Sequence, residues 1–542
     1  MDMPYITINN LTYKYPGNEK ITLNNININI ERGDIVLVCG NSGSGKSTLG
    51  KCIAGSVPNF YGGTIRGEIK INNKNIKEFT PKELAEKVTM VFQDPERQLL
   101  MNKVHREVAF GLENIGIPSE VIKRRVYESM EFCGIEKLAE RDIVSLSGGE
   151  KQKVAVTSAL AYMPECIIFD EPTSQLDPNS AEEIINIISK INEELGITIV
   201  LIEQRMEKCF SIADKILLIN KGAIDFYGDK EDLYKSNDDD FLEFMPQYLK
   251  LSKILKFNKM PLSIRETRKK LNNFNFRHNS SIEKEKHIEE PIIKIINLCF
   301  SYDGNANTLK NINININKGE FVEVMGPNGS GKSTLFKSMM GFTKYKGSIK
   351  LFGKEVSKYK RNDLIKSIGY ISQNPNDYIS KETVYDEIKF TLDNYGIKDY
   401  ELIDIVLKDL GIDDLKYKNP RDISGGEKQR VAIASILVMN PEIILLDEPT
   451  RGLDFNTKKL LGNTLKKLNK KGSTIIMITH DIEFAAEFAD KFILLFNGEA
   501  IQAGTKEEVF KGGTYYNTSM NKLFRNMDDS IFTIEDVLER LT

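Results

Sequence analysis

The sequence predicts an α/β fold written twice in tandem, and three observations carry that reading. Ordered blocks recur at separations of 277 to 287 residues, each copy sets an apolar run before a glycine-rich turn and a helix-like stretch, and the composition is that of a globular chain with ample core. At 542 residues, 41% hydrophobic and 28% charged, the chain has room for two large domains and lacks the composition of a disordered one. The net charge of -3 argues against a protein that lives mainly on nucleic-acid phosphates. No apolar run approaches the roughly 20 residues that a bilayer helix needs. The opening Met1-Asp2-Met3-Pro4-Tyr5 has no leader-like pattern, so secretion is not expected. Six scattered cysteines without a C-x-x-C pair read as core thiols, not as a metal site or disulfide framework.

Taken in order, each copy opens on recurring blocks: residues 10–17 recur as 297–304, and Asn25-Ile26-Asn27-Ile28-Asn29-Ile30 recurs as Asn311-Ile312-Asn313-Ile314-Asn315-Ile316. Alternation of Ile with Asn has the period of a half-buried strand. An apolar run follows (residues 35–39; 321–325), then Gly40-Asn41-Ser42-Gly43-Ser44-Gly45-Lys46-Ser47-Thr48 in the first copy and Gly326-Pro327-Asn328-Gly329-Ser330-Gly331-Lys332-Ser333-Thr334 in the second. Both fit G-x-x-x-x-G-K-[ST] between a strand and a helix, where backbone N–H groups turn inward around phosphate oxygens. Lys46 and Lys332 are expected on the β/γ-phosphates of a nucleotide, and Ser47 and Ser333 on Mg²⁺.

More than a hundred residues on, the runs ending Asp170-Glu171 and Asp447-Glu448 supply paired carboxylates. Asp170 and Asp447 are expected in the Mg²⁺ shell, and Glu171 and Glu448 as the groups that polarise an attacking water. The expected division is 1–235 and 291–515 for the two ATPase domains, with a helical extension over 236–290 and a tail helix over 516–542. Residues 250–277 hold nine Lys/Arg and one acid, Glu266, read either as a phosphate-facing patch or as a solvated helix face. In the tail, Ile531, Ile534, Leu538 and Leu541 fall at helical spacing, with Thr533 and Asp536 able to cap.

Ser147-Gly148-Gly149-Glu150-Lys151-Gln152 and Ser424-Gly425-Gly426-Glu427-Lys428-Gln429 resemble the signature motif of ABC-type ATPases. The resemblance covers nearly both repeats. It implies in each a RecA-like core, an antiparallel β subdomain and a helical signature subdomain. It further implies Q-loop ligands at Gln93 and Gln373, adenine-stacking aromatics at Tyr15 and Tyr302, and D-loops at Ser174-Gln175-Leu176-Asp177 and Arg451-Gly452-Leu453-Asp454. In that family each signature serves the nucleotide of the opposite domain, so two ATPs would be clamped head-to-tail within one chain. The switch histidine is matched by His480 in Ile478-Thr479-His480-Asp481, but the first copy reads Ile202-Glu203-Gln204-Arg205, and Gln204 takes the histidine's place. Glutamine can donate a hydrogen bond but cannot carry a proton or positive charge. The first site is therefore expected to turn over more slowly.

Residues 92–100 with 104–116, and more loosely 372–375 with 384–395, are similar to the groove-forming segments of energy-coupling-factor and cobalt-type importer ATPases. That resemblance implies a transmembrane coupling subunit, a substrate-binding membrane subunit, no nucleic-acid partner, and a place on the cytoplasmic face of the membrane. The rival reading is a soluble tandem factor acting on the ribosome or nucleic acid. Such factors are similar to one another in a Ser-His-Asp-Arg switch in each half, which this chain lacks.

Overall fold

The computed structural model describes residues 3–541 apart from 19, 205, 237–238, 273, 275, 277–290, 303–306 and 514. Arg205, Arg277, residues 278–290 of the expected extension and Asp303-Gly304 thus lie outside the described residues. The chain divides into two compact units, Met1–Leu262 and Ser263–Thr542.

Among its described residues the first unit carries the strands β1 (Ile6–Lys14), β2 (Leu23–Ile30), β3 (Ile35–Cys39), β4 (Thr64–Ile71), β5 (Lys74–Asn75), β6 (Val88–Val91), β7 (Cys166–Asp170), β8 (Thr198–Ile202), β9 (Lys215–Asn220) and β10 (Ala223–Asp229). They form two sheets. In the antiparallel one, of order β2-β1-β4-β5, β2 buries Ile26, Ile28 and Ile30 while the alternating asparagines face out, as the period-two pattern predicts. The six-stranded one has order β10-β9-β3-β8-β7-β6, parallel except for the β9–β10 pair. Its central strands are buried on both faces: Ile35, Leu37 and Cys39 of β3 join one apolar cluster, Val36 and Val38 the other. Burying side chains of this size contributes roughly 1.5–3 kcal/mol each, which fixes the strand that leads into the Gly40 turn.

Around these sheets stand α1 (Lys46–Ile53), α2 (Val104–Asn114), α3 (Ser119–Phe132), α4 (Gly148–Ala161) and α5 (Pro178–Leu195). Asp177 accepts from the Asn179 and Ser180 N–H groups, and Pro178 opens α5 where its missing N–H costs nothing.

The second unit repeats the plan with β11 (Ile293–Phe300), β12 (Leu309–Ile316), β13 (Phe321–Met325), β14 (Lys346–Leu351), β15 (Lys354–Glu355), β16 (Ile368–Ile371), β17 (Ile443–Asp447), β18 (Thr474–Ile478), β19 (Lys491–Phe496) and β20 (Glu499–Gly504). The sheets run β12-β11-β14-β15 and β16-β17-β18-β13-β19-β20. Its helices include α6 (Lys332–Met339), α7 (Val384–Tyr395), α8 (Glu401–Asp409), α9 (Gly425–Leu437), α10 (Phe455–Lys470) and α11 (Ile534–Arg540).

Three details depart from the sequence reading. The run 321–325 is not wholly apolar, because it contains Glu323, which is fully buried. The tail forms two short helices, Ser519–Phe524 and α11; Thr533 and Asp536 make the capping box, but Val537 is the buried residue, Leu538 is 42% exposed and Ile531 precedes the helix. The face shifts because Ile531 packs as loop, so the helical count starts three residues later than its spacing suggested. The basic stretch is shared between Gln247–Ile254 in the first unit and Ile264–Leu271 in the second. Arg268 donates to the Leu523 and Lys522 carbonyls, Lys253 to that of Ser236, and Lys270 pairs with Glu266. Part of that charge is thus spent on the chain's own backbone. Five cysteines are buried and Cys299 is half-buried, with no disulfide among the described residues. No helix of the described residues is long and apolar enough to cross a membrane.

Candidate active site

Three neighbouring strands, β3, β8 and β7, end at the same edge of the first unit's sheet, and their last residues deliver the site. Register pairs Val38 with Ile202 and Asp170 with Ile202, so the turn after β3, the Asp-Glu pair and the switch segment arrive together. The turn after β3 demands glycine at residue 40: φ is +146°, and a Cβ there would sit 2.0 Å from the Ile219 carbonyl oxygen. Gly326 repeats this against Leu495. Lys46 Nζ donates to the Gly40 and Asn41 carbonyls at 2.8 Å, and Lys332 Nζ to those of Gly326 and Pro327 at 2.7 and 2.9 Å. Tyr15 and Tyr302 approach the starts of α1 and α6, each hydroxyl 3.3 Å from the Thr48 or Thr334 hydroxyl.

Ser47 Oγ donates to Asp170 Oδ1 at 2.7 Å, and Ser333 hydrogen-bonds Asp447 in the same way. Burial raises both aspartates above the usual carboxylate range, the serine opposing it. A hydroxyl and a buried carboxylate side by side are the hard oxygen donors that Mg²⁺ takes; the Gln93 amide meets Glu171, and Gln373 lines the second unit's cavity. Buried Ser44 Oγ and Ser330 Oγ have no hydrogen-bond partner among the described residues, hydroxyls able to donate to a phosphate. The residues present fit ATP with Mg²⁺: Ser47 with Asp170, and Ser333 with Asp447, would hold the ion, which would supply positive charge against the phosphates.

Glu171 and Glu448 follow β7 and β17 in the left-handed region, at φ +49° and +55°. Non-glycine residues held there cost of order 1 kcal/mol or more, a strain that clusters at functional sites. Each is pinned by its own N–H, to Ile202 at 2.9 Å and to Ile478 at 2.8 Å. Around Glu171 two amides converge: Gln93 Nε2 donates to Oε2 at 2.7 Å and Gln204 Nε2 to Oε1 at 2.6 Å. Burial first, then the neighbouring Glu203 charge, push this carboxyl up to about 7, against Lys46 and the Gln204 hydrogen bond.

The second unit differs. His480 Nε2 lies 3.2 Å from Glu448 Oε1 and 3.1 Å from Asn328 Oδ1, and the His480 N–H donates to Glu448 Oε2 at 3.2 Å. Tyr302, Lys332, Ser333, Gln373, Glu448 and His480 line a cavity of about 350 Å³. Ser424, Gly425 and Gly426 do not line it. Ser147 and Ser424 cap α4 and α9 through reciprocal bonds with Glu150 and Glu427, and both serines are exposed. With Gly148 and Gly425 exposed at the first helical positions, each signature offers a helix N-terminus to an anion from outside.

Two pairs of residues escaped the sequence reading. Glu107 and Glu387, buried in α2 and α7, each accept two backbone N–H groups from the loop ahead: Leu100 and Met101 in one unit, Ser380 and Lys381 in the other. Their recurrence at the same place in each repeat was the available signal. Glu203 and Glu323 are the other pair. A carboxylate inside β13 should have stood out from its apolar neighbours.

Comparison with known proteins matches the family model "ABC transporter" to residues 23–174 and 309–451. Full-length relatives include a provisionally named ABC transporter ATP-binding protein of Bacillus thuringiensis, 36% identical over 98% of this chain and 97% of its own. One from Clostridium tetani is 40% identical over 78% of this chain and 96% of its own, and one from Methanosarcina mazei 35% over 94% and 91%. Among solved structures, CbiO1 from Clostridium perfringens, part of the ABC transporter complex CbiONQ, is 32% identical over 42% of this chain and 89% of its own, with a TM-score of 0.38. The chain belongs to the ABC transporter ATP-binding family. It is a tandem ABC ATPase with two cassettes on one polypeptide, which binds and hydrolyses ATP with Mg²⁺.

Proposed function

We propose that this chain is the ATP-hydrolysing subunit of an energy-coupling-factor type importer of a vitamin or metal. It would act from the cytoplasmic face of the membrane through a separate transmembrane coupling subunit and a substrate-binding membrane subunit. The observation that carries this reading is the wiring of the segment after β6. Gln93 bonds Glu171 directly, Glu96 pairs with Lys151 of the signature helix α4, and Glu107 fixes the loop that presents Leu100, 69% exposed. A partner pressing on that loop would bear on the water-polarising carboxylate and on the signature together.

In this reading Lys46, Lys332 and the turn amides hold the phosphates, and Ser47, Asp170 and Gln93, with Ser333, Asp447 and Gln373, hold Mg²⁺. Glu171 and Glu448 orient and deprotonate water. His480 steadies the γ-phosphate, and Gln204 does so without a transferable proton.

Affinity purification of the tagged chain from gently solubilised membranes tests the proposal. Recovery of an integral-membrane coupling subunit with a small substrate-binding membrane protein is the expected result. Sedimentation with ribosomes and no membrane partner would contradict it.

A further inference from the structure

The two units bury one extra carboxyl each beside the water-polarising glutamate, and they do it from different strands. In the first unit the carboxyl is Glu203, immediately after β8 and 2% exposed. Its Oε1 accepts the Thr173 N–H at 3.0 Å and the Thr173 hydroxyl at 2.6 Å, two residues past Glu171. Behind it, the place three residues before Gly40 is filled by Leu37 of β3, fully buried.

In the second unit that β-strand place belongs to Glu323, three residues before Gly326, and the place after β18 belongs to Thr479. Glu323 Oε1 accepts the Thr479 N–H at 2.7 Å, and the Thr479 hydroxyl meets that of Thr450 at 2.6 Å, two residues past Glu448. Glu323 pairs with Met477 across the β13–β18 register, so its side chain rises beneath the turn that carries His480. Leucine with glutamate in one unit is thus glutamate with threonine in the other. Both arrangements end on the same threonine of the Glu-Pro-Thr turn.

We propose that Glu203 and Glu323 are positioning residues for hydrolysis, interchangeable buried carboxyls that lock the Glu-Pro-Thr turn to the switch turn. The strained φ of Glu171 and Glu448 needs such a lock, because a turn held in the left-handed region relaxes unless its neighbours are fixed. A carboxyl does this where an apolar residue cannot. Without Glu323 the Thr479 N–H loses its carboxyl acceptor and falls back on a backbone bond like that of the first unit, where the Glu203 N–H donates to the Val38 carbonyl at 3.1 Å, so the turn that aims His480 gains an easier alternative. Glu323 Oε2 has no hydrogen-bond partner among the described residues, so one oxygen carries the anchoring and an amide can replace the acid.

This inference rests on Glu448 as the group that polarises water, and the test separates the two. In a full-length Glu171→Gln background, steady-state ATP turnover reports the second unit's glutamate. Loss of turnover in Glu448→Gln there establishes that reading. Glu323→Leu should then lower kcat about tenfold while KM for ATP moves less than about twofold, since it disturbs aim and not nucleotide contacts. Glu323→Gln should stay within about threefold of its parent. The double variant Glu323→Leu/Thr479→Glu, which installs the first unit's arrangement, should recover most of the lost kcat. A Glu323→Leu that keeps full kcat, or a double variant no better than the single, overturns the inference. Should Glu323→Leu fail to fold, Glu323→Gln and the double variant decide it: loss of kcat in both, with thermal unfolding unchanged, overturns it equally.

Discussion

Glu171 receives an amide donor on each carboxylate oxygen, whereas Glu448 faces an imidazole that also reaches Asn328. The difference is chemical. Two amides hold a carboxylate still but offer nothing that can shuttle a proton, while an imidazole can carry one. The buried Glu171 carboxyl, pushed up to about 7, also makes the fold pH-dependent in a calculable direction. Unfolded, it would ionise near the ordinary value of about 4.3, so stability falls as pH rises from there through about 7. Glu171→Gln removes that loss. In urea titrations, the variant's advantage over the parent should grow between pH 5 and pH 8 to roughly 2 kcal/mol. An advantage that is constant with pH would refute the assignment.

At the scale of elements, α2 and α7 act as latches for the loops ahead of them. Glu107 Oε2 accepts the Leu100 and Met101 N–H groups at 2.8 and 2.7 Å from a 6% exposed side chain. Glu107→Ala should lower unfolding stability by about 2 kcal/mol and speed proteolytic nicking at residues 99–103, with Glu107→Gln affected less. Unaltered nicking kinetics in the alanine variant would show that the loop is fixed by something else.

Much of this level was legible in the sequence, for a physical reason. The Gly40 and Gly326 turns, the strands ending in Asp170 and Asp447, and the Thr533 cap are encoded by residues within a few positions of one another. What escaped depends on pairing between distant strands. That Glu203 reaches Thr173, or that Gln93 and Gln204 share Glu171, becomes visible only once β7 and β8 lie side by side. The tail helix erred for a local reason, since Ile531 supplied an apolar spacing without being helical.

Across the whole molecule, one plan serves two units whose sites have diverged at the switch residue and at the buried carboxyl behind it. The family establishes an ATPase on each cassette; the side chains argue that the cassettes do not contribute equally. The most direct measurement is ATP turnover of the full-length chain at saturating Mg-ATP, with Glu171→Gln and Glu448→Gln made separately. The account predicts that Glu448→Gln loses at least about tenfold while Glu171→Gln stays within about threefold of the parent. Equal losses from the two variants would contradict it.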